Sequence, residues 1–186
     1  MAISQPSNLR EVPGAFVRHA RHLLSGEYLP KIERCLVQLN DDQVWWRAND
    51  DSNSIGNLLL HLSGNARQWI VCGLGGETDR RQRDEEFAHR EGIARDVLLK
   101  RLKDTLAEVD TVLAAFDTST LLEPRAIQRS EVTALEAIFH VTEHFSMHTG
   151  QIILLTKLLT ARDLHFYEFE GDTPLQRWSS RPSHSS

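Results

Sequence analysis

Cysteine is almost absent: only Cys35 and Cys72 occur in 186 residues, and they are not in a Cys-x-x-Cys spacing. That excludes a disulfide-stapled scaffold and a thiolate metal site, and both thiols are expected reduced in the core. Glycine (10) and proline (6) are too scarce for a collagenous or low-complexity chain. Long hydrophobic runs are missing as well. Residues 58–60 and 152–155 fall far short of the roughly 18 to 20 apolar residues a bilayer span needs, and His61 and Lys157 interrupt them. The first residues carry no basic stretch followed by an apolar core, so no secretory signal is expected and the cytoplasm is the expected location. Positive charge is not in excess. Lys plus Arg is 21 against 26 Asp plus Glu, a net charge of −5, which speaks against a general electrostatic grip on nucleic acid.

What is present is 40% hydrophobic and 25% charged, enough to bury one core without staples. The expected organisation is a single domain over residues 1–186, with a flexible arm at 1–13 and a loose Ser/Pro/Arg-rich tail at 171–186. Apolar residues recur at three- and four-residue steps in four stretches, each the pattern of one helical face. The first covers 15–39, where Pro30 predicts a kink or break near Glu27. The second starts at the cap formers Ser52 to Ser54 and stops at Gly73, Gly75 and Gly76. The third, 93–116, turns Val97, Leu102, Leu106, Val109, Leu113 and Phe116 inward, and the fourth, 131–159, buries Ile138, Phe139, Phe145 and Ile152. No convincing strand alternation is visible, so the fold class is all-α, a four-helix bundle.

Residues 73–91 are long enough to cross the bundle from end to end between helices 2 and 3. Their segment 77–90 alternates charge sign with almost no apolar content and reads as an exposed, salt-bridged crossover. Trp45 and Trp46 stand among turn formers and read as a lid over the end of the core.

Nine histidines occur. His140, His144 and His148 step by four residues along the fourth helix, which keeps them on one stripe and brings neighbouring imidazoles within chelating reach. Random scatter would give about 0.4 pairs at that spacing, so the spacing alone carries little. His61 adds weight, because it lies on a core-facing stripe of the second helix between Asn57 and Asn65. A buried imidazole needs a partner for each ring nitrogen. One metal ion would satisfy His61, His144 and His148 together. The alternative is that His61 bonds a core carbonyl or Glu143 while His144 and His148 face solvent.

The segments Asn53-Ser-Ile-Gly-Asn57-Leu-Leu-Leu-His61-Leu-Ser-Gly-Asn65-Ala-Arg-Gln-Trp69 and Glu143-His144-Phe-Ser-Met-His148-Thr-Gly150-Gln151 resemble the two signature stretches of the DinB-like (damage-inducible protein) superfamily of metalloproteins. Trp45-Trp46-Arg47, residues 79–87 and Thr156-Lys157 resemble one branch of it. The likeness runs from the first helix to about Tyr167. It implies an antiparallel bundle in up-down-down-up order, often a homodimer, with a divalent metal (zinc, nickel, iron or manganese) held by His61, His144 and His148. His140, one turn earlier, is not a ligand in the resemblance and reads as a supporting or core-satisfied histidine. Some members of the superfamily are transferases using low-molecular-weight thiols such as bacillithiol, mycothiol or glutathione.

Two functions follow as expectations. In the first, the chain is a metal-dependent enzyme acting on a small molecule, by thiol transfer or hydrolysis, since three imidazoles leave a coordination position open for water or a thiolate. No protein general base is identifiable, because Glu143 is rotated by about 100° from His144. Asn57, Asn65 and Gln151 are candidates for orienting ligands, and the substrate is expected beneath Trp45 and Trp46. In the second, the bundle is a non-catalytic, stress-responsive metal-binding or dimerisation module.

Overall fold

A computed structural model describes residues 11–178. The chain is mostly helical, with two small antiparallel hairpins. Helix α1 is continuous over 12–36: regular helix Val12–His22, a π-helical turn Leu23–Tyr28, then Leu29–Leu36. The break expected near Glu27 takes the form of that wider turn. Pro30 has no N–H to return to the preceding turn, and a π-turn re-routes the ladder, with Leu29 N–H donating to the Leu24 carbonyl. Residues 12 and 13 already belong to this helix, with Pro13 in its first turn, so the arm expected at 1–13 is corrected there. Residues 1–10 and 179–186 lie outside the described residues.

After the short α2 (Asp41–Trp45), α3 spans Ile55–Ala66 and continues as a π-helical turn, Arg67–Cys72. Every residue of Ile55–Ala66 except Gly64 is buried, so α3 is the central rod of the bundle. A capping box starts it: Ser54 Oγ accepts from Asn57 N–H, and Asn57 Oδ1 accepts from Ser54 N–H. The crossover carries α4 (Arg83–Ala88), and α5 (Arg95–Ala115) follows it. The first hairpin pairs β1 (Pro124–Ile127) with β2 (Ser130–Thr133). Helix α6, Ala134–Thr160, starts at the Thr133 cap rather than at the expected Glu131. Helix α3 packs on α5 and on α6, α6 packs on α1, and α4 covers part of α3.

Two faces differ from the expected ones. In α5 the inward series is Leu98, Leu102, Leu106, Val109 and Leu113, while Val97 is exposed. In α6 Ile138, Val141, Phe145, His148 and Ile152 face inward and Phe139 is exposed. Adjacent residues on a helix are about 100° apart, so only one of each neighbouring apolar pair reaches the core. The tail from 171 is not loose up to residue 178. Strand β3 (Tyr167–Glu170) pairs with β4 (Thr173–Gln176). Arg34 on α1 donates to the carbonyls of His165 (2.5 Å) and Arg177 (2.7 Å), and Lys31 sits 3.9 Å over the buried Trp178 ring. Both cysteines are free thiols, and burial pushes that of Cys35 up to about 11. Among the described residues no helix is long and apolar enough to cross a membrane.

Candidate metal centre

His61 comes from the middle of α3, and His144 and His148 from successive turns of α6. Because α3 and α6 are packed neighbours, the three rings meet. His61 and His144 have ring centroids 4.8 Å apart, His61 and His148 5.3 Å, and His144 and His148 4.4 Å. One ligand nitrogen from each lies within 4.8 Å of the others. The three histidines singled out in the sequence are therefore close enough to hold one ion, and His140 is not in the group.

The donor atoms fit a cation. His61 Nε2 and His144 Nε2 are 2.8 Å apart. Two bare lone pairs at that distance repel, so a proton or a positive ion belongs between them. His148 Nδ1 lies 2.6 Å from Gln151 Oε1, an acceptor, which places the proton of His148 on Nδ1. Its other nitrogen, Nε2, is buried and has no hydrogen-bond partner among the described residues. Left unpaired, such an atom carries a desolvation cost of about 1–3 kcal/mol. Burial first, then the neighbouring imidazoles, lowers the pKa of His144 to about 3. Burial also lowers His148, against the opposing Gln151 bond. Neutral imidazoles are the form that ligates a metal.

The crossover supplies what the sequence reading missed. Glu86 on α4 is 6% exposed, and its Oε2 lies 3.0 Å from His61 Nδ1. Arg81 grips the same carboxylate with two bonds, Nε to Oε1 at 2.7 Å and Nη2 to Oε2 at 2.8 Å, and gives Nη1 to Gln68 Oε1 at 2.8 Å. Burial pushes the Glu86 pKa up, but the bonds from Arg81 and His61 outweigh it and hold the carboxyl below its usual range. The pair rests on the α3 backbone at Gly64, where a Cβ would overlap Glu86 Oε1 and come within 2.9 Å of Arg81 Nε. The exposed, salt-bridged crossover of the sequence reading is thus corrected at Arg81 and Glu86. The alternative partner for His61, Glu143, is exposed.

Asn57 Nδ2 donates to the Glu86 carbonyl at 2.8 Å and the His89 carbonyl at 3.0 Å, while Arg47 Nη2 reaches Asn57 Oδ1 at 2.5 Å. Asn57 therefore fastens the crossover to the start of α3. Asn65 Nδ2 lies 3.2 Å from His140 Nε2, and the His140 ring lies against Trp69 at 4.2 Å and His144 at 5.3 Å. His140 supports the cluster from outside. Trp45 is buried, with Nε1 donating to the Ile93 carbonyl at 2.9 Å and its ring against Gly56, whereas Trp46 is 40% exposed. The cleft these two tryptophans line, with residues 90–94, includes none of the three histidines. The expected substrate position beneath them is corrected: Trp45 plugs the bundle. A separate cavity of about 510 Å³ opens beside the Arg81–Glu86 pair, with Gly64, Gln68, Asp79 and Arg101 in its wall.

A family model described as "Protein of unknown function (DUF1572)" matches residues 12–169. The chain belongs to that family. In three dimensions it is similar to a protein described as "conserved protein of locus from Enterococcus faecalis", with a TM-score of 0.66 and 15% identity over 78% of this chain and 97% of that one. At that identity the likeness concerns the fold alone. No curated protein matches the chain.

Proposed function

We propose that this member of the DUF1572 family is a metal-dependent enzyme of the DinB-like type, with one divalent cation held by His61, His144 and His148. The observation that carries the reading is the buried His148 Nε2, without a hydrogen-bond partner among the described residues, beside two imidazole nitrogens 2.8 Å apart. A divalent cation on three imidazoles supplies a Lewis acid with an open position, suited to presenting a low-molecular-weight thiol as its nucleophilic thiolate at neutral pH. The protein's part is to hold the donors ready. Gln151 keeps the His148 proton on Nδ1, and burial keeps His144 and His148 neutral. Phe87, with its ring 4.7 Å from that of His61, shields one side of the site from water.

Support for a thiol, and for S-transfer to a small molecule as the reaction, comes from the resemblance of both histidine segments to DinB-like proteins. The same reading takes α1, α3, α5 and α6 as an up-down-down-up bundle forming a single domain, cytoplasmic and paired as a homodimer. The test is metal analysis of the purified chain, followed by a screen of low-molecular-weight thiols with electrophiles on the metal-loaded protein. One equivalent of divalent metal and metal-dependent thiol consumption support the proposal. Metal uptake with no thiol consumed, and no displacement of the metal's absorption by azide or thiol, favours the non-catalytic module.

A further inference from the structure

The crossover sets a carboxylate and a guanidinium against His61 that a three-histidine ligand set does not itself require. Charged pairs are seldom fully buried without a reason, since desolvating both ions offsets most of their attraction. Here the burial is built in. The side chains of Arg81 and Glu86 are 5% and 7% exposed. The carboxylate occupies the space left by the missing side chain of Gly64, one turn after His61, and Asn57 clamps the α4 backbone carbonyl of Glu86 itself.

We infer that Glu86, backed by Arg81, is the positioning carboxylate of the His61 ligand, a role that rests on the metal reading proposed above. The geometry is that of a carboxylate–histidine–metal relay. Glu86 Oε2, 3.0 Å from His61 Nδ1, accepts the Nδ1 proton, so the Nε2 lone pair faces His144 and His148. Arg81 Nη2 is also 3.1 Å from His61 Nδ1. A guanidinium has only donors, so a bond from Arg81 to Nδ1 would demand the opposite tautomer, with the proton on Nε2 inside the cluster. Arg81 has Glu86 and Gln68 to satisfy it, and a cation at the cluster excludes that proton. Arg81 then keeps Glu86 ionised and fixed in place. Glu86 and Arg81 touch no ligand position and act through His61. The crossover that closes the bundle end thereby also sets the tautomer and orientation of a ligand on the central helix.

Zinc affinity, measured on the full chain by competition with a chromophoric chelator, tests this together with long-range ¹H–¹⁵N spectra that report the protonated nitrogen of His61. In the zinc-loaded wild type the His61 proton is expected on Nδ1. Glu86→Gln is expected to weaken zinc binding 10- to 100-fold while keeping one site per chain at saturation. Gly64→Ala leaves Arg81, Glu86 and the three histidines intact but displaces the carboxylate, and is expected to weaken binding in the same range. Loss of melting temperature with zinc affinity within twofold of wild type in both variants would mean that the pair is merely structural, and overturns the inference. A His61 proton on Nε2 in the zinc-loaded wild type overturns it too. If Glu86→Gln does not fold, the double variant Arg81→Leu/Glu86→Leu, which removes both buried charges together, takes its place beside Gly64→Ala. Failure of the wild type to take up any divalent metal defeats the metal reading itself. Wild-type uptake matched by the variants defeats only the role of Glu86.

Discussion

His61 Nε2 and His144 Nε2 face each other at 2.8 Å although they lie 83 positions apart in the chain. Neither helix alone produces that approach. It arises because α3, buried on nearly all sides, carries His61 on the face it packs against α6. The metal-free protein should nevertheless stay folded, because the core is a continuous cluster of apolar side chains independent of the histidines. Removing metal present at 100 times its Kd should lower stability by about 2.7 kcal/mol. Calorimetry with and without chelator should show a shift of roughly 5–11 °C, since each kcal/mol is worth about 2–4 °C for a chain of this size. Complete unfolding on chelation would make the metal a folding element.

The metal-free form should lose stability in acid over a defined window. His144 titrates at about 3 in the folded chain, and burial lowers His140 and His148 as well. Unfolded histidines titrate near 6.5. Between these values the unfolded state binds more protons, so stability rises with pH and is lost as pH falls from about 6.5 toward 3. Denaturant midpoints at several pH values should show that slope, and His144→Leu should flatten it.

Asn57→Ala should destabilise the chain by about 2–4 kcal/mol. It removes the half of the capping box in which Asn57 Oδ1 accepts from Ser54 N–H, at about 1 kcal/mol, and takes the Asn57 donor away from the Glu86 carbonyl, at about 1–3 kcal/mol, while the His89 carbonyl keeps its bonds from Arg47 and Arg90. Hydrogen exchange should then quicken in residues 83–90 before it does in α5. Unchanged exchange there would contradict the clamp.

Trp45→Ala should cost about 3–5 kcal/mol, as expected for truncating a buried tryptophan, while metal content stays at the wild-type value. Trp46, 40% exposed, should tolerate alanine at a cost of about 0.5 kcal/mol. Thermal melts and metal analysis of both variants check this. Loss of metal in Trp45→Ala would restore the tryptophans to the site.

The three ligating candidates were legible because two signals combined: His144 and His148 share a stripe and His61 stands on a second apolar one, which left a solvent-facing alternative open, and the resemblance of both segments to DinB-like signature stretches singled out these three. Their partners Arg81 and Glu86 were not. They lie in a largely exposed stretch whose alternating charges carry no period, and only tertiary contact buries these two side chains. Two signals pointed there: Phe87, the single aromatic among those charges, and Gly64, a helix-weakening residue one turn after His61. The β1–β2 hairpin was hidden for another reason. Its strands have four residues each, and its turn is Gln128-Arg129, both at positive φ, where Asn-Gly would have announced it. The α5 and α6 faces were offset because Val97 and Phe139 sit beside equally apolar neighbours that win the core.

Anomalous diffraction from crystals of the metal-loaded protein tests the central claim most directly. The account predicts one anomalous peak per chain, about 2.0–2.1 Å from the Nε2 atoms of His61, His144 and His148 if the ion is zinc, absent in crystals of His148→Ala. A peak ligated by other residues, or none with a water or protein donor seated on His148 Nε2, would contradict it.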